Sequence, residues 1–114
     1  MHETSIALEL VRSAGEIASR YGACRVSKVG VRIGVLSSVV PEALEFAFPG
    51  AALGTALEGA VLQIERVGAV ACCAECGEVE IRLERGLRCP LCGRPTPRIV
   101  QGEELELDTL ELEE

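Results

Sequence analysis

Tryptophan is absent from this 114-residue chain, and its aromatic residues are only Tyr21, Phe46 and Phe48. With so few aromatic side chains there is little surface on which nucleic-acid bases can stack. A single histidine, His2, leaves no room for a Ser-His-Asp triad, or for a Cys–His dyad away from the amino terminus. No GxxxxGK[ST] loop is present to cradle phosphates. No run approaches the roughly eighteen apolar residues of a membrane span. The chain does not open with the basic stretch, apolar stretch and cleavage site of a secretory leader. Nothing in it argues for an enzyme.

Cysteine is plentiful by contrast. Six occur, and four fall in two matched units, Cys73-Ala-Glu-Cys76-Gly77 and Cys89-Pro-Leu-Cys92-Gly93, with twelve residues between Cys76 and Cys89. A CxxC bend directs two sulfurs at one ion, and the following glycine lets the chain curl so that amide N–H groups approach a thiolate. Two such bends supply the four thiolates of a closed, tetrahedral Zn²⁺ site. The intervening loop is somewhat shorter than the usual span of about fifteen to twenty residues, yet two strands and a turn fit within it. A four-thiolate site has no open coordination position, so it serves as a staple and does not activate water. Paired CxxC units without a leader also read as reduced cytoplasmic thiols. Cys72 adjoins Cys73 as a spare thiol, and Cys24 is expected to be a small buried residue just beyond the first helix.

Charge is unevenly placed. Residues 1–69 carry six basic and seven acidic groups, residues 70–100 carry five Arg and four Glu, and residues 101–114 carry seven acidic groups and no basic one. The net charge of −7 therefore lies in the last strand and tail. Such a tail repels a phosphate backbone, the reverse of a nucleic-acid-binding footprint.

Periodicity supplies the fold. Ile6, Leu10, Ala14, Ile17 and Tyr21, widened by Val11 and Ala18, predict a helix over about 4–21, closed by Gly22 at C′. Val29, Val31, Ile33 and Val35 alternate with polar or glycine positions and predict a strand over 26–36. Pro41 suits the first turn of a shorter helix, with Leu44, Ala47 and Phe48 inward, and Pro49-Gly50 is expected to end or kink it. A second strand is expected over 60–67. A third over 103–112 needs an extra residue near Asp108-Thr109 to keep its leucines on one face. The expected fold is α+β: a small antiparallel three-stranded sheet covered by two helices, with an inserted zinc-ribbon-like module. The expected division is residues 1–69 plus 99–114 as an αβ domain and 70–98 as the zinc module.

On composition alone, a histidine at position two is most often a solvated chain end. Its chemistry allows another reading. The ring nitrogen, its own backbone nitrogen and the adjacent terminal amine or amide can close small chelate rings in nearly one plane, a setting that suits Ni²⁺ or Cu²⁺. Initiator methionine is normally retained before so bulky a residue. Glu3 places a carboxylate nearby, or simply a favourable charge in a helix first turn.

Taken together, Met1-His2-Glu3, the helix ending in Tyr21-Gly22, the strand Val29 to Gly34, the segment Gly54-Thr55-Ala-Leu-Glu58-Gly59-Ala60, the paired CxxC units and the acidic strand resemble the HypA/HybF family of hydrogenase nickel-incorporation metallochaperones. The likeness covers the full chain. It implies Ni²⁺ as transient cargo, held by His2 and terminal backbone nitrogens with Glu3 alongside, and structural Zn²⁺ held by Cys73, Cys76, Cys89 and Cys92. It implies delivery to the [NiFe]-hydrogenase large-subunit precursor with a nickel-binding GTPase partner, and in some bacteria a part in urease maturation. As His2 is the sole histidine, any further imidazole ligand must come from elsewhere. The alternatives from the residues are a zinc-ribbon nucleic-acid-binding or protein-interaction module, a dithiol redox protein, and a purely structural subunit.

Overall fold

The computed structural model describes residues 2–96 and 98–113, the side chains of His2 and Arg85 excepted. By its internal contacts the chain divides into two compact units. The first comprises Met1–Arg32, Val39–Glu65 and Glu106–Glu114, and the second Ile33–Ser38 and Arg66–Leu105.

In the first unit, helix α1 (His2–Arg20) buries Ala7, Leu10, Val11, Ala14 and Ala18. The steps of three and four residues are those of one helix face. That face is centred one position away from the stripe expected. Ile6 and Ile17 are half-buried, and Tyr21 is 77% exposed because the helix has already ended. Gly22, at φ 73°, takes the left-handed C′ position. Its N–H bonds Ser19 O and the Ala23 N–H bonds Ala18 O, the paired bonds of a Schellman cap. The acidic and basic residues of the outer face pair with one another. Arg12 meets Glu9 and Glu16, and the Arg12 guanidinium lowers the Glu9 pKa while both carboxylates raise that of Arg12.

Strand β1 (Arg25–Gly34) buries Val26, Val29, Val31 and Ile33. Helix α2 (Pro41–Ala52) follows, with Leu44, Phe48 and Ala52 buried. Of the two outcomes expected at Pro49-Gly50, an end or a kink, the end is not found, and α2 runs on to Ala52. Pro49 has no N–H for the Glu45 carbonyl, and Glu45 and Pro49 are both exposed, on a side of the helix where water can serve instead. The helix closes instead through the segment after it. Thr55 Oγ1 donates to Ala52 O at 2.6 Å, the Glu58 carboxylate accepts the Gly54 N–H at 2.8 Å, and Leu57 is fully buried.

Strands β2 (Val61–Val67) and β6 (Leu105–Glu113) flank β1, giving the order β2-β1-β6. Ser27 bonds Glu111 O, Gly30 faces Thr109 and Arg32 pairs with Glu106. Partner numbers fall on β6 as they rise on β1, so the two are antiparallel. On β6, Leu107, Leu110 and Leu112 are half-buried while Asp108 and Thr109 are both exposed, which is the expected slip of phase.

The second unit has its own sheet. Strands β3 (Val70–Cys73), β4 (Gly77–Glu80) and β5 (Arg98–Gln101) lie in the order β4-β3-β5, with β3 antiparallel to both neighbours. Between the cysteine pairs lie β4 and a 3-10 turn (Leu83–Arg85), one strand in a loop with room for two. The other two sheet strands lie outside that loop. The core here is Ala69, Ala71, Cys73, Val79, Ile81 and Cys89, with Leu36 and Ile99 packed against it. This unit thus takes in Ile33–Ser38 and residues on both sides of 70–98.

Candidate metal centre

The Sγ atoms of Cys73, Cys76, Cys89 and Cys92 all lie within 4.8 Å of one another. Cys73 Sγ and Cys92 Sγ are 3.5 Å apart, too far for a disulfide, and all six cysteines are free thiols. A tetrahedral ion with bonds of about 2.3 Å holds its sulfurs about 3.8 Å apart, so the cluster has the dimensions of a four-thiolate metal site. It is the one cluster of three or more metal-ligating side chains among the described residues.

Two knuckles build it. The first is the turn that joins β3 to β4, with Cys73 at the end of β3 and Gly77 at φ 80° opening β4. The second is a tight hairpin in which Cys89 N–H bonds Arg94 O and Gly93 N–H bonds Cys89 O, each at 2.8 Å, with Gly93 at φ 78°. Both glycines occupy left-handed backbone that other residues adopt at a cost. The second hairpin is held at its base by the buried Thr96, whose hydroxyl and N–H both donate to Leu87 O at 3.0 Å. The Arg88 guanidinium donates to Gly93 O at 3.2 Å, and Arg94 pairs with Glu75 of the first knuckle, also at 3.2 Å. Cys73 and Cys89 belong to the core, whereas Cys76 and Cys92 are exposed.

The sulfurs are electrostatically unlike. Amide N–H groups of Cys76 and then Glu75 point at Cys73 and bring its pKa down to about 7. Cys76 is pushed up to about 12, first by its hydrogen bond with Cys89, then by burial and the remaining sulfurs. At Cys92 the Arg94 amide lowers the pKa, but burial and the neighbouring Cys73 and Cys89 outweigh it and leave the thiol raised. Amide N–H groups do approach the thiolates at both glycine-closed turns, as expected. The amides that matter here come from Glu75, Cys76 and Arg94, and no feature of composition marks them out. A metal cation would replace the shared protons and satisfy all four sulfurs at once, and this set of soft ligands is one that zinc takes readily.

Cys72 is not in the cluster. It sits on β3 opposite Glu78 and Arg98. Cys24 is exposed ahead of β1. At the other end of the chain, α1 begins at His2, whose side chain, with Met1, lies outside the described residues. Glu3 is described. Its Oε2 accepts the Val40 N–H at 3.2 Å. No described helix is long and apolar enough to cross a membrane.

Comparison with known proteins gives a consistent result. The family model for hydrogenase/urease nickel incorporation, metallochaperone, HypA, matches residues 1–112. A hydrogenase maturation factor HypA from Deinococcus radiodurans is 59% identical over 107 residues, covering 94% of this chain and 89% of that protein. One from Chloroflexus aurantiacus is 49% identical over 112 residues, covering 97% and 98%. Among solved structures, the nickel metallochaperone HypA of Helicobacter pylori superposes with a TM-score of 0.69 at 24% identity, over 96% of each chain. A second HypA solution structure gives 0.69 at 26% identity, over 98% of this chain and 96% of that one.

Proposed function

This chain belongs to the HypA family of hydrogenase and urease nickel-incorporation metallochaperones, and from that premise we propose that it binds Ni²⁺ at its amino terminus and passes it to the [NiFe]-hydrogenase large-subunit precursor. The observation that carries the two-site reading is the closed four-cysteine cluster. Four thiolates fill a tetrahedral ion, so that centre is a staple, and cargo that must leave again needs another place. Zn²⁺ occupies Cys73, Cys76, Cys89 and Cys92.

The nickel site is His2 with backbone nitrogens of the terminus. Helix α1 begins at His2, and the first N–H groups of a helix have no acceptor within it. The amino terminus thus offers nitrogen donors to an ion, and a nitrogen-rich, nearly planar set suits Ni²⁺. Few protein ligands and a terminal position leave the ion open to exchange with a partner's donors. The chain is thus a carrier and not an enzyme. Its partners are a nickel-binding GTPase and the hydrogenase precursor, with urease maturation proteins as a further recipient route. The four thiols of its paired CxxC units fit a reducing cytoplasm. The excess of carboxylates at residues 101–114 argues against nucleic acid or an anionic membrane surface as partner.

Nickel calorimetry on untagged protein with its native terminus, beside His2→Ala and with zinc assayed in both, tests this. One Ni²⁺ per chain in the native protein, none in His2→Ala and unchanged zinc is the expected result. Equal nickel binding by both places the cargo elsewhere and overturns the terminal site.

A further inference from the structure

Glu3 has a task that its place in the sequence does not disclose. Val40, the N-cap of α2, has extended backbone (φ −90°, ψ 111°) and makes no side-chain cap. A valine has no oxygen with which to do so. In a capping box, a Glu or Gln three residues into the helix turns back to accept the N-cap N–H. Helix α2 has Ala43 at that position. Glu3, 37 residues earlier and in another helix, takes the vacant part: its Oε2 accepts the Val40 N–H at 3.2 Å.

Electrostatics favour the same arrangement. Thr4 and Leu8 of α1 line one surface cavity of about 300 Å³ with Phe46, Ala47, Gly50 and Ala51 of α2. With Glu3 beside Val40, the residue numbers rise together along the two helices, so they run side by side in one direction. Their positive ends therefore lie together. Glu3 stands in the first turn of α1 and at the N-cap of α2, so one carboxylate serves both ends.

We infer that Glu3 is a positioning residue: it ties the first turn of α1 to the N-terminus of α2, and so fixes the backbone nitrogens around His2, without itself ligating nickel. This rests on the amino-terminal nickel site proposed above. A first turn left loose must be ordered by the incoming ion, and that ordering lowers affinity. A first turn already held by Val40 needs no such ordering.

The test uses Glu3→Ala and Glu3→Gln in the full-length, zinc-loaded chain. Gln keeps an acceptor oxygen for the Val40 N–H but is a poor nickel ligand. Two readouts are taken: hydrogen exchange of the Val40 amide without nickel, and nickel affinity by calorimetry. Glu3→Ala is expected to speed Val40 exchange and weaken nickel binding, each about fivefold, the ratio that one helix cap is typically worth. Glu3→Gln is expected to restore most of both. If Glu3→Gln protects the Val40 amide yet binds nickel as poorly as Glu3→Ala, the carboxylate is a ligand and the inference is wrong. If neither variant changes Val40 exchange, the cap does not exist in solution. If the native protein binds no nickel at its terminus, the proposed function fails, and the exchange readout still decides the cap.

Discussion

Gly34 and Gly102 meet backbone to backbone. A Cβ built on Gly34 runs into the Gly102 carbonyl and stands 2.7 Å from Glu103 N. The Gly34 N–H bonds Glu104 O at 2.8 Å and the Leu36 N–H bonds Gly102 O at 2.7 Å. Gly102 itself sits at φ 121°, where a Cβ would lie 2.9 Å from Ala69 Cα. All of this belongs to the second unit. Gly34→Ala is expected to cost at least the upper part of the about 1–3 kcal/mol typical of overpacking, because main chain stands in the way. Gly30→Ala meets only the Thr109 side chain, so its cost is expected to be smaller. Chemical denaturation of the two variants side by side checks the ordering.

Removing the metal is expected to unfold the second unit. Two of the six buried residues in its core, Cys73 and Cys89, belong to the four-cysteine cluster. So small a core is far below what a free-standing domain needs, and metal binding in modules of this kind contributes about 10–16 kcal/mol to folding. With a strong chelator, amides of β3, β4 and β5 are expected to lose hydrogen-exchange protection while those in the middle of α1 keep theirs. Retained protection in β3 would show that the module stands without metal.

Zinc affinity is expected to rise steeply with pH. The metal binds thiolates, so each thiol still protonated must release a proton to it. The sign follows from the shifts. Cys76, pushed up to about 12, and Cys92, also raised, are protonated across pH 5–8, while Cys73, brought down to about 7, is protonated only in the lower part of that range. The protons displaced from Cys76 and Cys92 alone give an affinity that climbs at least about a hundredfold per pH unit above 7, and that of Cys73 steepens it to at least about a thousandfold below 7. Competition with a chelator of known pH dependence measures the slope.

Nickel affinity is expected to fall at low pH for a different reason. Imidazole binds metal only when neutral, and its ordinary pKa is about 6.5. Calorimetry at pH 5 and at pH 7.5 is expected to show much weaker binding at the lower value. Equal affinities would remove His2 from the site.

Pro49→Ala is expected to stabilise the protein. Pro49 lies inside α2, exposed, where its missing N–H leaves a helix carbonyl without its partner. Restoring the N–H recovers part of the roughly 3 kcal/mol by which proline disfavours a helix interior relative to alanine. A higher melting temperature with unchanged zinc content is the result to look for.

What could be read from the chain alone was whatever depends on neighbours in sequence. Each CxxC spacing brings two sulfurs together because a knuckle is closed within a few residues. Gly22 marks the end of α1 because a left-handed residue is needed just there. Alternation placed β1, β2 and β6 to within a few residues, and the slip at Asp108-Thr109 appeared in the burial of the leucines around it. Contacts between distant segments were decided only by the tertiary structure. Pro49 and Gly50 look like a helix end locally, yet α2 continues to Ala52, where Thr55 and Glu58 close it. The stretch between the cysteine pairs is long enough for two strands, but β3 takes β4 on one side and β5, from beyond the second pair, on the other. Glu3 looked like a charge at a chain end until Val40, 37 residues on, came within hydrogen-bond reach. Periodicity and spacing are local physics, whereas a backbone N–H finds a distant acceptor only once the chain has packed.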